Sequence, residues 1–157
     1  MEKRMSRFGV GPRIAFSAIV YAALAARVTY IWPDVCLLRA IPYRVLLIPG
    51  LLLLLLGIPM WLLAGFSLMR AYNRDQLVTS GVFGLCRHPI YAAGIVLILP
   101  GFTLLTQSWP LMITPLVAYL VFKLLIGKED DYLRQRFGKA YLEYRAKVNE
   151  LIPIPKL

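Results

Sequence analysis

Two long stretches of this chain carry no charged side chain, one between Arg44 and Arg70 and the other between His88 and Lys123. A helix needs about 20 apolar residues to cross a bilayer. The first stretch therefore supplies one crossing. The second is too long for a single pass and long enough for a tight helical hairpin. Composition agrees, with 59% hydrophobic and 17% charged residues among 157, where a soluble domain carries roughly a quarter charged. A soluble enzyme and a disordered tail are excluded, and few polar loops remain for a large extramembrane domain. The expected fold is an all-α, polytopic membrane helical bundle, a single domain over residues 1–157.

About four transmembrane helices are expected, at 14–32, 45–69, 89–106 and 109–126. The first follows a basic N-terminus (Lys3, Arg4, Arg7, Arg13) and ends at Pro33; it is too long for the apolar core of a signal peptide. Arg27 lies near its far end, where the side chain can snorkel to the interface. The second contains six consecutive leucines, 51–56. Gln107, Ser108, Trp109 and Pro110 make the turn between the last two, with Trp109 as an interfacial aromatic. Pro100, Pro110 and Pro115 bend or start helices, which membrane bundles tolerate.

The net charge of +10 is unevenly placed. The N-terminus, the segment with Arg70, Arg74 and Arg87, and the C-terminal segment (Lys128, Arg134, Arg136, Lys139, Arg145, Lys147, Lys156) fall on one side; Arg39 and Arg44 fall on the other. The positive-inside rule puts both termini in the cytoplasm. No basic run interleaved with aromatics points to nucleic acid. Cys36 and Cys86 fall on opposite sides and are not expected to pair, and with His88 as the single histidine no metal site is expected.

After Gly127 the chain turns polar but periodic. Leu133, Phe137, Tyr141, Tyr144 and Val148 recur at steps of four and three, on one helical face. Cytosolic amphipathic helices are expected over 128–150, broken or bent at Gly138, lying on the interface or capping the bundle. An extended tail follows from Ile152 to Pro155.

No Asp or Glu lies inside the expected spans. That argues against ion-coupled transport, which places acids within the membrane. Polar groups gather instead on the cytoplasmic side. Pro89 suits the first turn of a helix, with Arg87 and His88 just before it. Arg87, His88 and Tyr91 would surround the positive end of that helix, suited to a carboxylate or phosphate; they would equally serve as headgroup anchors. Gly94 permits close approach of a ligand or a neighbouring helix. Glu129, Asp130 and Asp131 open the C-terminal helix. They would complement its dipole, or hold a cationic or polyhydroxyl ligand such as an amino group or ribose.

These residues carry a resemblance. Residues 81–94, with Arg87-His88-Pro89, Tyr91 and Gly94, resemble the RHPxYxG signature of membrane methyltransferases, with one extra residue before the last glycine. The isoprenylcysteine carboxyl methyltransferase family and the related phospholipid methyltransferases share it. Glu129-Asp130, Leu133, Phe137-Gly138, Tyr141, Tyr144 and Ile152-Pro153 are similar to that family's C-terminal pattern. The resemblance implies S-adenosylmethionine as cofactor, at the cytosolic ends of the last two spans and under the C-terminal helices. Arg87, His88 and Tyr91 would line its pocket, Gly94 would give room, and Glu129 and Asp130 would contact its polar groups. The methyl acceptor would be lipophilic and come from the bilayer: an isoprenylcysteine-type carboxylate, a lipid or a hydrophobic small molecule.

There are departures from the pattern. Asp130 stands where relatives have a second glutamate, and Asn149-Glu150 stand where many carry Pro-Arg. Arg145 is the substitute candidate for an acceptor-side arginine. The chain is shorter than eukaryotic members of the isoprenylcysteine branch, which suggests a prokaryotic cytoplasmic membrane. Two other readings are a sterol-reductase-like enzyme using NADPH, for which the short cytosolic loops offer little, and a non-catalytic membrane scaffold.

Overall fold

The computed structural model describes residues 9–74 and 76–152. Lys3, Arg4 and Arg7 of the basic N-terminus, Lys156 and the extended tail beyond Ile152 lie outside the described residues.

Among those residues the chain is helical, without a sheet. The order is α1 (Gly11–Ile31), α2 (Pro33–Cys36), α3 (Tyr43–Arg74), α4 (Val82–Leu85), α5 (Pro89–Ala92), a π-helical segment (Ala93–Ile98), α6 (Leu99–Leu105), α7 (Trp109–Met112) and α8 (Thr114–Lys147). Three stretches are long and apolar enough to cross a membrane: Gly11–Ile31, Tyr43–Tyr72 and Trp109–Lys147. The chain is an integral membrane protein. The remaining expected span, 89–106, falls on a shorter apolar stretch, Pro89–Leu105, which is not one regular helix. Pro100 explains the irregularity. Its ring crowds the carbonyl four residues back, and the helix widens just before it, the Leu99 N–H reaching the Gly94 carbonyl.

Small residues supply much of the contact between the helices. Ala18, Ala25, Ala64, Ala92, Ala93 and Ala118 are buried, while Leu55, Leu56, Phe66 and Leu124 face outward. This reverses the soluble pattern. In lipid, large aliphatic side chains gain nothing from burial, and close helix contact comes from small residues. α3 lies along the π segment and α6, and α1 along α8. Gly50 and Gly101 mark the closest approach: a Cβ on either would stand 3.0 Å from the other's carbonyl oxygen.

At one end Gln107 takes positive φ in the turn before α7. Its carbonyl accepts from Leu38 N–H at 2.9 Å, and Trp109 Nε1 donates to the Val35 carbonyl at 3.1 Å. Cys36 lies at this end and Cys86 at the other; both are free thiols.

The C-terminal helices do not begin afresh after Gly127. α8 runs through it and changes direction only at Gly138, whose φ of 52° leaves the helical region. A glycine within a helix costs only about 1 kcal/mol, which the flanking helix formers absorb. The helix ends at Lys147, and Val148 is extended. Tyr141 and Tyr144 turn inward and are buried. The periodic face therefore caps the bundle.

Candidate active site

The loop between α4 and α5 holds Cys86, Arg87 and His88, all buried. The His88 carbonyl accepts from Ala92 N–H of α5 at 2.9 Å, but the N–H groups of Arg87 and His88 precede the first turn of α5 and find no acceptor there. The C-terminal segment supplies the partners. Arg87 N–H donates to the Asn149 carbonyl at 2.8 Å, and His88 N–H to the Glu150 carbonyl at 3.1 Å. Leu151 is buried in the same core cluster as Cys86.

Asp130, on α8, is the hub. Arg87 Nη1 donates to its Oδ2 at 2.9 Å and His88 Nε2 to its Oδ1 at 3.2 Å. Tyr141, on the far side of the Gly138 bend, also donates to Oδ1, and Arg87 Nη1 lies 3.2 Å from the Tyr141 hydroxyl. Burial by itself would raise the Asp130 carboxyl. The hydrogen bonds from His88 and Tyr141 and the Arg87 charge reverse this and hold it well below the usual carboxylate range. The carboxylate is ionised and accepts only, so Nε2 of His88 carries the proton.

Glu129 faces the other way. Its Oε2 accepts from the Tyr91 hydroxyl at 2.8 Å and from Val10 N–H at 3.3 Å. Its Oε1 stands 3.8 Å from His88 Nδ1, outside hydrogen-bond distance. Phe122 of α8 packs beneath the rings of His88 and Tyr91, with centroids 6.0 and 5.4 Å away. Gly9 closes the N-terminal side with φ of +53°; a Cβ there would collide with Glu129 Oε2 and stand 3.0 Å from the Tyr91 oxygen. Arg87 Nε is buried and has no hydrogen-bond partner among the described residues. Gly94 borders open space, since a Cβ on it would meet nothing within 4 Å. Burial pushes the Cys86 thiol up to about 11, against the pull of the His88 backbone N–H.

The structure thus gathers Arg87, His88, Tyr91, Glu129 and Asp130 at one end of the bundle, with Gly94 in the π-helical segment that continues from α5. Asp130, expected to face a ligand, spends its oxygens on Arg87, His88 and Tyr141. Arg145 stands at the rim, half-exposed, with Nε 3.9 Å from Asp130 Oδ2.

A family model described as phospholipid methyltransferase matches residues 45–140. The chain belongs to the phospholipid methyltransferase family. Among proteins of known name, the family resemblance extends to a probable protein-S-isoprenylcysteine O-methyltransferase of Oryza sativa subsp. indica, 33% identical over 87 residues, covering 54% of this chain and 46% of that protein. A protein-S-isoprenylcysteine O-methyltransferase of Schizosaccharomyces pombe is 35% identical over 83 residues, 52% of this chain and 35% of that protein. A cobalt-zinc-cadmium resistance protein, CzcN, of Cupriavidus metallidurans is 33% identical over 82 residues, 52% of this chain and 37% of that protein. The chain spans less than half the length of these curated relatives. No solved structure matches it.

Sequence reasoning had no functional role for Tyr141, Phe122, Gly9, Val10, Asn149 or Glu150. Tyr141 lies just past the family match; it showed as an apolar-face position and as part of the C-terminal pattern, with no role attached. Asn149 and Glu150 act on the loop through carbonyl oxygens, which any residue carries.

Proposed function

We propose that this chain is an S-adenosylmethionine-dependent methyltransferase acting at the cytoplasmic membrane interface on a lipophilic acceptor. Family membership supports the reaction class. One observation carries the cofactor: an unused buried donor, Arg87 Nε, lies in the same cluster as two acceptors that do not bond each other, His88 Nδ1 and Glu129 Oε1. In its neutral form, with Nε2 protonated, His88 offers Nδ1 as a lone pair. A donor and two acceptors in one partly buried cluster suit a zwitterion, whose carboxylate would go to Arg87 and whose ammonium would go to His88 and Glu129.

S-adenosylmethionine supplies a methyl group on a sulfonium centre, open to in-line displacement. The protein's part is then positioning and exclusion of water. Asp130 and Tyr141 fix the Arg87 guanidinium, and Tyr91 and the Val10 N–H fix Glu129. Phe122 and Val10 keep the floor dry. Gly94 leaves space along the helix toward the bilayer side, from which the acceptor would come. A carboxylate or thiolate acceptor needs no base here, whereas an amine must arrive neutral. The same reading takes Pro89–Leu105 as a fourth crossing and places both termini in the cytoplasm, on the positive-inside distribution.

Calorimetric titration of the purified protein with S-adenosylmethionine and with NADPH tests this. We expect binding of the former and none of the latter. Arg87→Ala, His88→Ala and Glu129→Ala should each weaken it, and Lys147→Ala should not. NADPH binding alone would favour a reductase, and binding of neither a scaffold. A methyl-label transfer screen against a membrane lipid extract and farnesylcysteine analogues would identify the acceptor.

A further inference from the structure

Glu150 is bound to the site twice. Its carbonyl accepts the His88 N–H at 3.1 Å, and its carboxylate pairs with Lys123 Nζ at 2.6 Å. Lys123 belongs to α8, one residue beyond Phe122, which packs on the His88 and Tyr91 rings. The carboxylate of Glu150 is three-quarters covered and the lysine about half exposed. The pair thus sits at the edge of the cluster, where water screens it less than at an open surface.

The segment it belongs to leaves the helix after Lys147, with Val148 extended. It is no longer part of a helix there, and among the described residues its Asn149 and Glu150 carbonyls are the acceptors for the Arg87 and His88 N–H groups. If the segment lifts, the Arg87 and His88 N–H groups lose their partners and the two side chains lose their fixed origin. Leu151 anchors one end by burial. The ion pair anchors the residue whose carbonyl touches His88.

We propose that Lys123 and Glu150 form an electrostatic latch that holds the C-terminal segment on the Cys86–His88 loop, making Glu150 a positioning residue for Arg87 and His88. It acts through the backbone and touches no ligand. The consequence for ligand binding rests on the S-adenosylmethionine reading above; the latch itself does not.

Two measurements on the full chain separate these. Amide hydrogen exchange reads the latch without any ligand. Glu150→Gln and Lys123→Met should each speed exchange at the Arg87 and His88 amides up to about fivefold, the range of a partly exposed ion pair, while amides of α3 stay unchanged. The exchanged pair Lys123→Glu with Glu150→Lys should restore protection. Unchanged exchange in the single variants, faster exchange throughout α3, or no recovery in the exchanged pair would each overturn the proposal. S-adenosylmethionine affinity should follow the same order, lower in the single variants and recovered in the exchanged pair. If the unmodified protein binds no S-adenosylmethionine, the cofactor reading fails and the exchange result still decides the latch.

Discussion

Arg87 and Asp130 meet as a buried ion pair, Nη1 to Oδ2 at 2.9 Å, joining the loop before α5 to the C-terminal half of α8. Neither side chain is more than 8% exposed. Removing one charge from such a pair leaves the other buried and uncompensated, which is costlier than the pair's net contribution to stability. Asp130→Asn should therefore destabilise the protein by about 3–5 kcal/mol, read as thermal unfolding in detergent. Asp130→Glu, which keeps the charge, should lose clearly less. Equal losses would mean that shape rather than charge matters at this position.

The same carboxylate gives a pH dependence of definite sign. Its folded value lies below the ordinary one, so its contribution is complete above the unfolded value of about 3.9 and declines as pH falls below that. The carboxylate's share of the stability gap between the native protein and Asp130→Asn should be lost as the pH falls below ~4. A gap that narrows on raising the pH instead would contradict the assignment.

Tyr141→Phe deletes one hydroxyl and leaves Asp130 and Arg87 each a partner short. A buried hydrogen bond to a charged group is worth about 1.5–3 kcal/mol, and the loss should fall in that range. Leu142→Ala, on the exposed side of the same helical turn, should change stability little.

Gly9 and Gly11 offer a matched comparison beside one tyrosine. Gly9→Ala introduces a Cβ at positive φ against Glu129, whereas at Gly11 a Cβ would be 3.5 Å from Tyr91 Cε1, an ordinary contact. The first should cost about 1–2 kcal/mol from backbone strain alone and should weaken S-adenosylmethionine binding. The second should be nearly silent in both assays.

Within the bilayer, Gly101→Val should disrupt the contact with Gly50 and shift the thermal midpoint down, whereas Gly65→Ala, where nothing lies within 4 Å, should not.

The membrane class and the helical character were legible because lipid demands long uncharged runs, and those are visible without coordinates. The gathering of Arg87, His88 and Tyr91 with Glu129 and Asp130 was legible because charge distribution put both groups at one membrane face and motif spacing put them in order. Other features left no such trace. The division of labour between Glu129 and Asp130 depends on which way two adjacent carboxylates point, and Tyr141 settles that from beyond the bend at Gly138. The roles of the Val10 N–H and of the Asn149 and Glu150 carbonyls belong to the backbone, so side-chain identity could not announce them. The irregular helix before Pro100 reflects a choice between kinking and widening that composition does not make.

The position of Asp130, 43 residues after Arg87, has a consequence for biogenesis. At about 5–20 residues per second of synthesis, the arginine leaves the ribosome seconds ahead of its counter-charge, and the Asn149 and Glu150 carbonyls come later still. Until then the guanidinium has no buried place to occupy and must wait at the headgroups or in water. The loop that carries Arg87 is therefore made well before the site can close around it, which must await α8 and the Asn149 and Glu150 carbonyls.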